Sequence, residues 1–137
     1  MTIEQRIERL EKMCLGAETK NNGELTLKKL TIQDDQGRDR IVMAGGKLEF
    51  YDETGKLRIM ASTDADGGAG VGHFDGNEKI RIMACIDADG CASVGHLDDN
   101  EKMRITAGTD ADGNARVTHY DGNEKERIMA FTKADGG

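Results

Sequence analysis

Three histidines recur at a single spacing. His73, His96 and His119 are 23 residues apart (96 − 73 = 23; 119 − 96 = 23), so in a repeating architecture they occupy equivalent points of successive layers. Imidazole is a zinc ligand at a nitrogen–metal distance of about 2.0 to 2.1 Å. If three chains converge on an axis, each layer offers three such rings, which makes His73, His96 and His119 the candidate metal ligands. The competing reading is a ladder at a strand end, copied by duplication. Each layer supplies one His per chain, and Phe50 fills the slot in the unit before His73. A histidine column would also make an assembly sensitive to pH near the ordinary imidazole value of about 6.5.

Paired aspartates raise a second chemistry. Asp64/Asp66, Asp87/Asp89 and Asp110/Asp112 each sit in a DADG sequence, which resembles the opening of a calcium loop. The further ligands of such a loop, above all the bidentate Glu at its twelfth position, do not follow. Asp opening a type I turn with Gly in the left-handed position accounts for the motif without an ion, and Lys133 replaces the first Asp in the last copy. Cys14, Cys85 and Cys91 contain no CxxC pair and read as reduced thiols. Arg58, Arg81, Arg104 and Arg127, each two residues after a lysine, form a basic column whose natural partners are the acidic turns. No nucleophile–histidine motif or phosphate loop is present, no cofactor is implied, and the expectation is that the chain is not an enzyme.

The elements that carry these residues are read from the repeat. Phe50–Gly72, His73–Gly95 and His96–Thr118 are successive 23-residue units, followed by a truncated copy from His119. A fixed period of this size marks a quasi-one-dimensional architecture in which each unit covers its neighbour. Period-two alternation predicts first strands at Leu57–Thr63, Ile80–Ile86, Met103–Thr109 and Glu126–Thr132, and second strands at Ala69–Phe74, Ala92–Leu97 and Ala115–Tyr120. The face of Ile59/Ala61 and their equivalents is the expected core. Glycines in the second strands imply close approach of another group. Glu stands in DGNEK and DDNEK where Gly55 stands in DETGK, so those turns are expected to be built differently.

Residues 1–16 are expected to form a short coiled-coil helix. Thr2 and Gln5 make a capping box, Ile3, Ile7, Leu10 and Cys14 make a seam, and Gly16 is a stop. Ile at both early seam positions favours trimers or tetramers over dimers. Residues 17–49 are a polar linker and a divergent capping β-repeat, with an 18-residue offset (50 − 32) and a phase change at Lys28 and Lys29. Residues 50–137 are the 23-residue β-repeats.

The chain has 36% hydrophobic and 4% aromatic residues, 18 Gly, no Pro or Trp, and a net charge of −7. That is too little bulk to fill a round core at this length, and self-association is the natural remedy. Basic residues are dispersed, which argues against nucleic acid. No apolar run can span a bilayer, and the charged N-terminus is not a secretory signal. A cytoplasmic or virion location is expected.

The signature apolar-x-D-x-x-G-K-x-R-I, carried by FYDETGKLRIMAS and more loosely by HFDGNEKIRIMAC, resembles repeats of uncharacterised bacterial and phage proteins that follow a short coiled coil. It is broadly similar to the trimeric β-shafts of phage tail fibres. The expected fold class is therefore all-β with one short N-terminal helix, in a trimeric β-helix or β-prism-like shaft, with a single-chain β-solenoid as the alternative path. An antiparallel meander with three chains about an axis is favoured over the solenoid. The expected function is a non-enzymatic structural or adhesive homotrimer. The alternative is a metal- or glycan-binding repeat protein, and the remaining partners considered are a surface glycan or another structural protein.

Overall fold

The computed structural model describes residues 2, 3, 18, 19 and 25–135. Apart from Thr2 and Ile3, the expected helix of residues 1–16 lies outside them. The chain divides into a unit of residues 1–30 and a unit of residues 31–137. The first holds an antiparallel pair, β1 (Glu18–Thr19) and β2 (Leu25–Thr26). Strand structure then breaks at Leu27 and Lys28, one residue before the expected phase change at Lys28 and Lys29, and resumes at Lys29.

The rest is one ten-stranded antiparallel sheet. Its strands are β3 (Lys29–Gln33), β4 (Asp39–Ala44), β5 (Lys47–Tyr51), β6 (Leu57–Thr63), β7 (Ala69–Phe74), β8 (Ile80–Ile86), β9 (Ala92–Leu97), β10 (Met103–Thr109), β11 (Ala115–Tyr120) and β12 (Glu126–Thr132). Each pairs with its neighbours in sequence, so the sheet is a meander. Residues 23 apart consequently lie two strands apart. The last seven strands have the bounds that alternation predicts.

Five-residue turns join most strands, and Asp opens every one of them. In Asp34–Arg38, Asp52–Lys56, Asp64–Gly68, Asp75–Lys79, Asp87–Cys91, Asp98–Lys102, Asp110–Asn114 and Asp121–Lys125 the first N–H donates to the fifth carbonyl at 2.9 to 3.0 Å. The Asp Oδ1 accepts from the third and fifth N–H groups at 2.7 to 3.1 Å. One short carboxylate thus satisfies two amides that the ladder leaves over, which is why Asp suits this position.

The fourth residue has positive φ throughout. It is Gly in five turns, but Glu78, Glu101 and Glu124 adopt the same conformation at φ 60°, 58° and 59°. The expectation that the Glu turns are built differently is therefore corrected. The remaining turn contacts hold the backbone in one shape, and the Glu residues accept its strain. The Glu78 carboxylate also accepts a bond from the Leu57 N–H of the preceding hairpin at 3.3 Å.

The short first unit has a simple cause. Between β4 and β5 stands a two-residue turn, Gly45–Gly46, with φ 55° and 77°. Two consecutive positive φ values are the hairpin geometry that two glycines allow. The segment β4–turn–β5 covers 13 residues (39–51) against 18 for β6–turn–β7 (57–74), which is the five-residue difference between offsets of 18 and 23.

The sheet is a single layer. Val42, at 9% exposure, is the one buried hydrophobic side chain among the described residues. The face carrying Ile59 and Ala61, expected as the core, is not covered by any described part of its own unit. Val71, Ile82, Val94, Val117 and Ile128 on it are 36 to 63% exposed. A meander with short turns has no connection long enough to return across its own face, so covering must come from elsewhere.

Candidate functional site

The registers place the sequence-predicted residues on two distinct faces. On the first face, pairings Ile59↔His73, His73↔Ile82, Ile82↔His96, Ile105↔His96, Ile105↔His119 and His119↔Ile128 form one row. Ile41 and Phe50 continue it toward β4. The three histidines are thus aligned and exposed. Within one chain an isoleucine separates each from the next, and two strand spacings put them about 9.5 Å apart. No cluster of three or more His, Cys, Asp or Glu able to hold a metal occurs among the described residues.

The next row on that face is smaller. Met43 and Leu48 lead into Ala61, Val71, Ala84, Val94, Ala107, Val117 and Ala130, each opposite the next. A third row, Thr63, Ala69, Ile86, Ala92, Thr109, Ala115 and Thr132, completes the face. No Asp, Glu, Lys or Arg belongs to these rows. Apart from the three histidines and the hydroxyls of Thr63, Thr109 and Thr132, the face is apolar.

The opposite face carries its own short-range cover. The register shifts by one residue at Arg58, Arg81, Arg104 and Arg127. These bulges return Leu57, Ile80, Met103 and Glu126 to the face of Tyr51, Phe74, Leu97 and Tyr120. Phe74 and Ile80 then lie over Gly72, where a Cβ would meet Ile80 Cδ1 at 3.2 Å and Phe74 Cε2 at 3.3 Å. Met103 lies over Gly95 in the same way. A Cβ on Gly70 would first meet the backbone oxygen of Ala84, at 3.2 Å, whereas Gly72 and Gly95 are thus explained by side chains of their own chain. In the third copy Thr118 takes the slot, fully buried, with its hydroxyl unpartnered. Reading the sequence as plain strands misses the bulges; the repeated Arg–Ile step, which follows an apolar residue in three copies and Glu126 in the last, is their sign.

Each bulge arginine reaches back to the Asp six residues earlier. Arg127 Nη2 lies 2.6 Å from Asp121 Oδ2, Arg81 lies 3.6 Å from Asp75 and Arg58 lies 3.9 Å from Asp52, while Arg104 contacts Asp98 closely. Arg81 also pairs with Asp99. Lys102 Nζ donates to the Gly122 carbonyl at 3.1 Å, and Lys56 and Lys79 do likewise to Gly76 and Asp99, tying each turn to the next at this end of the sheet. The basic column is therefore engaged with the acidic turns.

Hydrogen bonds lower the proton affinity of six turn aspartates. Asp52 falls from 3.8 to about 2, chiefly through the Thr54 hydroxyl and then the Lys56 amide. Asp75, Asp98 and Asp121 are lowered first by backbone amides of Asn77, Lys102 and Lys125, Asp110 by the Asn114 side chain and Asp34 by the Arg38 side chain. In the DADG turns the carboxylates of Asp64, Asp87 and Asp110 accept from turn amides and so are engaged within their own turns. Cys85 and Cys91 are free thiols, and Cys85 Sγ lies 3.2 Å from Ser93 Oγ.

A shallow depression of about 370 Å³ has Ser93, Gly108, Arg116 and Phe131 among its lining residues. Asn114 on its rim is bonded to Asp110 and to the Ala134 amide. No helix among the described residues is long and apolar enough to cross a membrane.

No family model matches the chain and no curated protein matches it. Among solved structures it is similar to a mutant of S. aureus TarM in complex with fondaparinux, α-GlcNAc-glycerol and UDP, at 8% identity and a TM-score of 0.48. That likeness covers 96% of this chain and 24% of the other, so the chain spans about a quarter of that protein's length.

Proposed function

We propose that the chain is a non-enzymatic structural module that self-assembles as a homotrimer, a rigid shaft of the fibre-like kind its repeat signature suggests. The observation that carries this reading is the largely apolar face of β4–β12, which is free of Asp, Glu, Lys and Arg, continuous, and uncovered by any described residue of its own unit. Exposed apolar patches on monomeric proteins are commonly limited to a few hundred Å². Nine strands at about 4.8 Å spacing and about 20 Å length give a face on the order of 800 Å², which is what each partner of a standard interface contributes. The second face, stapled by Arg–Asp pairs and turn-to-turn lysines, suits solvent or an adhesive contact.

Adjacent residues on β11 test this. Val117 is on the apolar face and Arg116 on the other. Val117→Asp places a charge in the contact, where an unpaired ion costs several kcal/mol, and is expected to abolish assembly in light scattering. Arg116→Asp is expected to leave it intact. Equal behaviour of the two variants would remove the apolar face from the account.

A further inference from the structure

We infer that copies of this chain add end to end, the outer edge of β12 in one copy pairing with the outer edge of β3 in the next, so that the meander continues from copy to copy. The contact uses strand edges rather than the apolar face. It therefore goes beyond the self-assembly proposed above and does not depend on it.

Three features lead there. First, β12 and β3 are the two edges of the sheet, and among the described residues neither has a strand on its outer side. The sheet has ten strands, each running against its neighbour, so its two edges run in opposite directions. An even number is what a continued antiparallel ladder needs: β3 of the next copy meets β12 with the correct polarity and with its faces on the same sides. Second, β12 carries a series of contacts that lacks its last partner. At this end of the sheet the fifth residue of each turn donates to the carbonyl of the second residue of the next turn: Arg38 to Glu53, Lys56 to Gly76, Lys79 to Asp99 and Lys102 to Gly122. Lys125 is next in the series, and its Nζ has no partner among the described residues. Ile128 is 63% exposed, against 36% for its interior equivalent Ile82, and Met129 is 58% exposed.

Third, β3 and the turn after it supply what is missing. Ile32 stands two residues before Asp34, as His73 stands two before Asp75 and His96 two before Asp98. The pairings Ile59↔His73 and Met60↔Gly72 recur as Ile82↔His96 and Met83↔Gly95. The same register carried across the join sets Ile128 opposite Ile32 and Met129 opposite Thr31. Ile32, itself 47% exposed, extends the Ile/His row, and Thr31 meets Met129 as Thr118 does on its other side. The same step brings the carbonyl of Asp35, second in the turn Asp34–Arg38, to Lys125. A contact between two different edges does not close on itself. It leaves one free β12 and one free β3, and so extends as a filament in which each copy adds ten strands, about 48 Å. A single strand edge buries far less than a standard interface, so the join is weak and forms as concentration rises.

The test is disulfide trapping between copies of the full-length chain at high concentration, in a background with Cys14, Cys85 and Cys91 changed to Ser. Thr31→Cys and Met129→Cys are made singly and together, oxidised, and read on a denaturing gel without reductant. Both positions lie on the face away from the apolar rows. Directly opposite residues of antiparallel strands have Cα atoms about 4.5 to 5.5 Å apart, within disulfide reach. Within one chain the two positions are nine strand spacings apart, about 43 Å along the sheet, so no internal bond can form. The join predicts a ladder of dimer, trimer and longer species in the double variant and none in either single variant. Lys125→Ala added to the double variant is expected to slow the ladder about tenfold, the worth of one hydrogen bond from a charged group. Val117→Asp, which acts on the apolar face, is expected to leave the ladder in place, so this contact and the self-assembly proposed above fail separately. Dimers from Met129→Cys alone would pair β12 with itself and overturn the inference. A double variant that stays monomeric, or a ladder lost with Val117→Asp, would overturn it as well.

Discussion

Replacing the strained turn glutamates with glycine is expected to stabilise the protein, but unequally. Glu78, Glu101 and Glu124 hold φ near 60° in turns that elsewhere use Gly. A left-handed conformation costs an L-residue about 1 to 2 kcal/mol. Glycine removes that strain and returns about 0.5 to 1 kcal/mol through its greater freedom in the unfolded chain. The net gain is about 0.5 to 1 kcal/mol for Glu101→Gly and for Glu124→Gly. Glu78→Gly also loses the carboxylate that accepts the Leu57 N–H at 3.3 Å, a bond worth about 0.5 to 1.5 kcal/mol, and is expected to be close to neutral. The assay is thermal unfolding by circular dichroism at one fixed protein concentration, because assembly makes Tm depend on concentration. At about 4 °C per kcal/mol for a chain of this size, the Glu101→Gly, Glu124→Gly double variant should gain about 4 to 8 °C. A fall in Tm for either single variant would refute the reasoning, because it would mean that the glutamate side chains contribute more than their backbone conformation costs.

Thr118→Val keeps the shape of a fully buried side chain while removing a hydroxyl without a partner. Stability measured by urea unfolding should rise by about 1 to 2 kcal/mol. Gly108→Ala would set a Cβ 2.4 Å from the Ala92 carbonyl oxygen and 3.1 Å from the Ser93 Cα, both backbone atoms. It should cost about 1 to 3 kcal/mol in the same assay. Gly95→Ala, which meets the movable end of Met103, should cost distinctly less. The six lowered aspartates, Asp34, Asp52, Asp75, Asp98, Asp110 and Asp121, bind protons less readily folded than unfolded. Their contribution is complete above about pH 4 and drains away as pH falls toward about 2, because the unfolded chain takes up more protons in that window. Tm should therefore drop between those values, and changing Asp52 to Asn should flatten part of the drop.

Much of the sheet could be read directly. Alternation of Ile59/Ala61 against Arg58/Met60 located β6 and its repeats with their ends, and the Asp–Gly spacing located the turns. Two features stayed out of reach for physical reasons. A turn of fixed hydrogen-bond geometry can impose φ near 60° on Glu101 although the residue disfavours it, so residue preference alone misreads the turn. The close approach signalled by Gly72 and Gly95 comes from Phe74, Ile80 and Met103 of the same chain, through bulges that alternation does not reveal. Of the candidate site, the common row of His73, His96 and His119 followed from the period. The intervening Ile82 and Ile105 follow from the antiparallel path, which places residues 23 apart on strands two removed. Whether the apolar face is covered depends on partner chains, and alternation is the same for a face against a core as for one against a neighbouring copy.

The central claim is self-assembly through that face, and a native mass spectrum of the purified full-length chain, taken with and without chelator, tests it most directly. The account predicts three copies in one particle, with the same subunit count after chelation. A single copy, stable at micromolar concentration with its apolar face open to water, would contradict it.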